Sequence, residues 1–265
     1  MASRTWFSTT PLSQESLVLQ LKKVNLVKTP QVEYALTQTD RALFTSEDSP
    51  YENRPKKILS AEVLTSPTSQ ALTLELLSEA ASKASKILDV GCGNGYLSQC
   101  LARMAPEAQV LGIDIHKNLV KQAREISSLS NLKFMRCEAH ELTEEDFDLI
   151  NVGFSSTKDL HENLMNKLVP GGVCLCPVEN RWIIAEKDGE LEDLGETGFS
   201  EIRKEEQLED ELEKLEQEIK SVFKDCEVEL GRRPNASEYP PELIPLLKQR
   251  RKVIAKLKAL ETYTV

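Results

Sequence analysis

Between Lys86 and His116 the order of apolar and polar positions predicts three elements in succession. Ile87 to Val90 form a short apolar run, read as a buried strand, that ends on glycines at alternate positions, Gly91, Gly93 and Gly95. Tyr96 to Met104 follow, with Leu97, Leu101 and Met104 at i, i+4 and i+7, the period of a helix with one apolar face. Val110 to Ile113 form a second apolar run, closed by Asp114. The pattern then repeats. A helix is predicted over Lys117–Ser127, a strand over Lys133–Arg136 running into Cys137-Glu138-Ala139, and a strand over 147–154 with Asp148 and Asn151 near its ends. The stretch DLHENLMNKLVPGG reads as a helix closed by Pro170-Gly171-Gly172, VCLCPV as a strand, and WIIAEKDGELEDL as a hairpin turning at Asp188-Gly189. Strands alternating with helices predict a mostly parallel sheet covered on both faces.

The flanks carry helical periods only. In SQESLVLQLKKVNLV the apolar residues Leu17, Leu19, Leu21, Val24 and Leu26 predict an amphipathic helix opened by Ser13, with Glu15 in its first turn. A second helix is expected after Thr29-Pro30, burying Val32, Tyr34, Ala35 and Leu36. SEDSPYENRPKK has no periodicity and reads as a loop. Pro67 suits a first helical position with Ser66 as N-cap, so a helix is expected over Pro67–Ala81 with Leu72, Leu76 and Leu77 towards the core.

From residue 201 the chain changes character. Leu208, Leu212, Leu215, Ile219 and Val222 alternate spacings of four and three, a narrow seam on a charged helix. GRRPNASEYPPE interrupts it, and Leu243, Leu247, Ile254, Leu257 and Leu260 form the apolar face of another helix. Residues 201–230 hold 12 acidic and 5 basic side chains, net -7; residues 231–265 hold 3 and 8, net +5. Opposite charge on two seamed helices predicts an antiparallel hairpin, whose remaining apolar face must be covered by the first domain, a partner protein or a second copy. The expected division is 1–204 and 205–265.

Composition narrows the function classes. A net charge of -10 argues against a general nucleic-acid or anionic-membrane binder. No apolar run approaches the ~18 residues that span a bilayer. The first residues, MASRTWFSTTPLSQES, contain no signal-peptide apolar core; being Ser/Thr-rich with one Arg, they leave a mitochondrial presequence open. Six scattered cysteines and three histidines show no metal-ligand spacing, so no metal site is expected, and the thiols suit the reducing cytoplasm.

The candidate chemistry sits at strand ends. A glycine turn lets a nucleotide-like ligand approach the main chain, and Asp114, nineteen residues after Gly95, can accept bonds from both hydroxyls of a ribose. A dinucleotide site presents phosphate to G-x-G-x-x-G; here the pattern is G-x-G-x-G behind Asp89, which suits a cationic or amino-bearing ligand better. Gly91, Asp114 and Glu138 fall at the carboxyl ends of three successive strands, where such sheets bind ligands. The hydroxyls of Thr65, Ser66, Thr68 and Ser69 gather at a helix N-terminus, where N–H groups and the dipole attract an anion; ordinary capping needs only one of them.

LDVGCGNGYL followed by GID resembles motif I and the next acidic strand of class I S-adenosylmethionine-dependent methyltransferases. That resemblance implies S-adenosylmethionine as cofactor, with Asp89, Gly91, Gly93 and Gly95 towards its methionine part, Asp114 and Ile115 at the ribose, and Glu138 and Ala139 at the adenine. From Ser13 to Ile202 the order of features resembles the protein-L-isoaspartate (D-aspartate) O-methyltransferases: LKKVNLVKTPQV, the TDR at 39–41, SPYEN, LTSPTSQALTLELL, FDLINVGF and LMNKLVPGGVCLCPV. The resemblance implies a Rossmann-like α/β sheet and methylation of isoaspartyl α-carboxylates of proteins or peptides, a repair reaction. Thr65 stands where the family has the serine that touches the substrate carboxylate, with Ser66 next to it. Thr68, Glu138-Ala139 and VGFSS depart from the family's histidine, D-G pair and VGA. A second reading, of another class, is a methyltransferase-like subunit that scaffolds an assembly through its C-terminal helices.

Overall fold

The structure is a computed structural model that describes residues 10–59, 62–179, 181–196, 215–222, 224, 240, 241, 243 and 245–250. Contacts divide the chain into two compact units, Met1–Glu201 and Ile202–Val265.

The first unit is built on a seven-stranded sheet. Its strands are β3 (Lys86–Val90), β4 (Gln109–Asp114), β5 (Leu132–Arg136), β6 (Phe147–Val152), β7 (Leu168–Val178), β8 (Arg181–Glu186) and β9 (Leu191–Glu196), in the order β5-β4-β3-β6-β7-β8-β9. β5 to β7 are mutually parallel, while β8 and β9 extend the sheet as antiparallel strands. The chain leaves β3 for β4 on one side and later returns to β6 on the other. That reversal puts the switch point, the crevice where such sheets bind ligands, at the carboxyl ends of β3 and β6.

Period-two alternation sorts the core into two faces. Ile87, Val110, Phe134, Leu149 and Leu175 join one apolar cluster with the helices α1 (Gln14–Lys23), α2 (Pro30–Thr37), α3 (Pro67–Lys83), α4 (Tyr96–Met104) and α5 (Lys117–Ile126). Leu88, Val90, Ile113, Ile150, Val152 and Cys174 join the other, with Leu160 and Leu164 of α6 (Lys158–Asn166). The caps follow the sequence. Ser13 and Ser16 form a reciprocal capping box, Ser66 accepts from Ser69 N–H at 3.3 Å, and Thr157 accepts from Leu160 N–H at 3.3 Å.

Several expectations are corrected. Leu19 and Tyr34 are 52% and 56% exposed, since α1 and α2 bury only Leu17, Val18, Leu21 and Val32, Ala35, Leu36 as their apolar faces. On α3 Leu72 is 44% exposed; the buried face is Ala71, Leu74, Leu77 and Ala81, rotated so that Gln70 also turns inward. Pro170-Gly171-Gly172 does not end a helix. It lies inside β7, where a register irregularity opposite β6 uses Gly171 at φ 75°, and where a Cβ on Gly172 would stand 3.0 Å from Phe147 O. The hairpin does turn at Asp188-Gly189, with Gly189 N–H donating to Glu186 O at 3.1 Å.

The loop expected over 46–57 gives way at Lys56 to an antiparallel hairpin, β1 (Lys56–Leu59) and β2 (Glu62–Leu64). Polar contacts hold it. Thr45 Oγ1 donates to Lys57 O at 2.7 Å and Glu47 Oε1 accepts from Lys57 N–H at 2.8 Å. Buried Lys56 donates to Asp48 O at 2.8 Å and Glu52 Oε2 at 3.1 Å.

In the second unit residues 215–222 and 245–250 are helical, and Leu215, Ile219 and Leu243 are buried. Glu216 Oε1 accepts from Arg250 Nη2 at 2.8 Å and Nε at 3.1 Å, and Ile219 and Leu247 line one groove. Leu208, Leu212, Ile254, Leu257 and Leu260 lie outside the described residues.

Candidate functional site

The glycine turn begins where β3 stops. Gly91, Gly93 and Gly95 have φ of 71°, 55° and 88°, a region that costs any residue with a Cβ about 1–2 kcal/mol. The turn is stitched to β4: Gly91 and Cys92 N–H donate to Ile113 O at 2.8 and 3.0 Å. Buried Asn94 ties it to the N-terminal region, donating to Phe44 O at 2.7 Å. A Cβ on Gly95 would meet Phe134 Cζ at 2.5 Å, so the third glycine lets α4 start close over β5.

The two strand-end acids face different ways. Asp89 is 1% exposed and turned beneath the turn, not outward; it accepts from Ser98 Oγ of α4 and, at 2.7 Å, from Asn151 Nδ2 of β6. Burial pushes its carboxyl up, and those two donors pull it back. Asp89 thus joins β3, α4 and β6 under the crevice. Asp114 lies at the end of β4. One of its oxygens accepts from Gly93 N–H at 2.9 Å; the other accepts from His116 N–H at 2.8 Å and stands 3.0 Å from His116 Nδ1. The oxygen bonded to Gly93 N–H keeps one lone-pair direction for an incoming hydroxyl, while both directions of the other are met by His116. Ile115 follows, its carbonyl held by Arg136 Nε at 3.0 Å. Cys137 N–H donates to Asp114 O at 3.1 Å, which places Glu138 and buried Ala139 beside the same strand end.

The hairpin forms a wall over these ends. Ile58 Cδ1 lies 3.2 Å from where a Cβ on Gly93 would be, and Glu62 Oε1 is 3.9 Å from His116 Nε2. Burial raises the Glu62 carboxyl, the Asp114 charge adds to this and His116 opposes it. β2 leads into Thr65 and Ser66. The helix mouth offers fewer N–H groups than expected: Pro67 has none, Thr68 N–H donates to Asn53 Oδ1 at 3.2 Å, and Ser69 N–H is taken by Ser66. Ser66 Oγ also contacts Thr68 Oγ1 and Ser69 Oγ at 3.1 and 2.9 Å. The half-buried Thr65 hydroxyl bonds to no described residue, which leaves it the available donor.

Sequence reading missed the residues that hold this wall. Arg41 is completely buried and donates to Gln70 Oε1 at 2.6 Å, Pro50 O at 2.8 Å, and Arg54 O and Leu64 O at 3.3 Å. It opens a 3-10 helix, Arg41–Phe44, and its place in the TDR at 39–41 was the available signal. Ser98 and Asn151 gave a weaker one, as polar residues in otherwise buried elements.

A left-handed glycine turn after the central strand, an acid closing the next strand and a crevice between them define a class I, S-adenosylmethionine-type methyltransferase fold. The sequence matches the family described as Protein-L-isoaspartate(D-aspartate) O-methyltransferase (PCMT) over residues 12–192. This chain belongs to that family. A wheat (Triticum aestivum) protein-L-isoaspartate O-methyltransferase is 30% identical over 176 residues, 62% of this chain and 76% of the relative. Protein-L-isoaspartate O-methyltransferase 1 of Arabidopsis thaliana is 27% identical over 188 residues, 66% and 81% respectively. Among solved structures, a Plasmodium falciparum protein described as a putative member, in complex with S-adenosyl-L-homocysteine, superposes with a TM-score of 0.67 and 25% identity. The match covers 73% of this chain and 99% of that one.

Proposed function

We propose that this chain transfers the methyl group of S-adenosylmethionine to the α-carboxylate of isoaspartyl residues in proteins or peptides. The observation that carries the reading is a glycine turn stitched to Asp114 at the switch point, in a chain of this family. The residues present fit an adenosyl ligand: positive-φ glycines expose main chain, and the Asp114 oxygen bonded to Gly93 N–H keeps an acceptor direction free. Glu138 and Ala139 are assigned to the adenine edge and Ile115 to the ribose side. When bound, the cofactor supplies an electrophilic sulfonium methyl group, which the carboxylate oxygen takes as the S–CH3 bond breaks. A carboxylate is already ionised at neutral pH, so no side chain needs to remove a proton. The work of the chain is to align and to exclude water. Thr65 donates to the substrate carboxylate, and Ser66 fixes the helix start behind it.

Methyl transfer to an isoaspartyl peptide, with the aspartyl peptide as control, tests this. Ester should form on the isoaspartyl peptide only, and Thr65→Val should lower kcat/KM about 10- to 100-fold, the effect of one hydrogen bond to a charged group. No ester in spite of measurable cofactor binding would overturn the reading.

Residues 205–265 we assign to a separate helical extension that engages a protein partner or a second copy; the Glu216–Arg250 pair within its own unit supports this. Sedimentation of the full chain and of residues 1–204 checks it: equal behaviour, alone and in extract, would remove the assignment. Among the described residues no helix is long and apolar enough to cross a membrane. Cys92, Cys100, Cys137, Cys174 and Cys176 are free thiols, which supports placing the protein in the cytoplasm.

A further inference from the structure

The loop after β6 reaches across the crevice. Gly153 N–H donates to Val90 O at 2.8 Å, and a Cβ on Gly153 would stand 2.8 Å from Gly91 O, so the two backbones touch. The next residue is Phe154. A Cβ on Gly91 would meet its ring at 2.5 Å (Cδ1) and 2.9 Å (Cε1), so the ring lies directly against the first glycine of the turn assigned to the cofactor. Two residues later the loop is clamped again. Ser156 N–H donates to Pro177 O at 2.7 Å, Ser156 Oγ donates to the same carbonyl at 3.0 Å, and Glu179 N–H donates to Ser156 O at 3.1 Å. With the main chain fixed at 153 and 156, rotation of the Phe154 side chain is the movement left to clear Gly91.

We propose that Phe154 gates the cofactor site: its half-buried ring competes for the surface of Gly91, and the cofactor enters with the ring turned away. This rests on the cofactor reading above and adds a residue that sets affinity without contributing to the chemistry. Turning out a ring half-packed on the Val90–Val152 side of the core forfeits part of its apolar burial, which corresponds to about a tenfold weakening of binding.

Calorimetric titration of S-adenosylhomocysteine into the full chain, Phe154→Ala and Phe154→Leu tests it. Phe154→Ala should bind about tenfold more tightly, mainly through faster association, with Phe154→Leu between it and the wild type. If Phe154→Ala does not fold, Phe154→Leu alone carries the comparison, and a gain of several-fold is expected. Equal or weaker binding by a folded variant while the wild type binds would overturn the gate and leave the cofactor reading standing. No binding by any of the folded proteins would remove both.

Discussion

Replacing Arg41 by alanine tests the frame that holds the substrate side of the site. The guanidinium is fully buried, and burial lowers its pKa to about 10. Two of its bonds are short, to Gln70 Oε1 and Pro50 O, and two are long, to Arg54 O and Leu64 O. Each strong bond to a charged donor is worth ~1.5–3 kcal/mol, and each acceptor left buried and unpaired costs ~1–3 kcal/mol, offset by the desolvation that Arg41 no longer suffers. The balance is a loss of about 3–5 kcal/mol, seen as a drop in Tm of about 10 °C for a chain of this size. Arg41→Lys keeps the charge without the fork, so roughly half of the loss is expected. Pro50 and Arg54 flank Asn53, which caps Thr68. Loosening that loop should therefore raise KM for the peptide more than it weakens S-adenosylhomocysteine binding. Denaturant and thermal melts with paired kinetics read both effects. A stability loss below about 1 kcal/mol, with KM unchanged, would refute the assigned role.

A half-buried carboxylate, Glu62, and a buried one, Asp89, should respond to amidation in opposite directions. Glu62 has no hydrogen-bond donor among the described residues, only His116 at 3.9 Å, and its pKa is raised, so its ionisation opposes folding. Its contribution is most favourable below the unfolded pKa and is lost as pH rises through the folded one. Glu62→Gln should therefore be more stable than wild type at pH 8, with the gain vanishing towards about pH 4, in denaturant melts at both pH values. Asp89 receives donors from both Ser98 and Asn151; in Asp89→Asn the amide oxygen keeps the Asn151 bond, while the Ser98 hydroxyl has to turn, accept from the new N–H and give up its charged acceptor. That variant should lose about 1–3 kcal/mol at neutral pH, and a gain instead would show that desolvation outweighs the two bonds.

The strand-turn-helix-strand unit was legible because its signals are local. β3, α4 and β4 follow from apolar runs, one helical period and three glycines, and Ser13, Ser66 and Thr157 cap helices from within three residues. What could not be read depends on partners far along the chain. Arg41 is explained by Gln14, Pro50, Arg54, Leu64 and Gln70, and the inward turn of Asp89 by Ser98 and Asn151. The hairpin 56–64 is held by Thr45, Glu47 and Lys56, polar contacts made from the preceding loop and from the first strand residue. On α3 the larger leucines suggested one face, while close packing selected Ala71 and Ala81. Phe154 was visible as an unusual residue, but its seat on Gly91 required the strand order, which brings β6 beside β3.

Titration of S-adenosylhomocysteine into the full chain and into Asp114→Ala bears most directly on the central claim. The glycine turn and the strand-end carboxylate should give one site per wild-type chain. Removing the carboxylate should weaken it about 10- to 100-fold, the effect of losing a charge-assisted bond to a hydroxyl. Folded wild-type protein that takes up no ligand, or an Asp114→Ala variant that binds as well as wild type, would contradict the account.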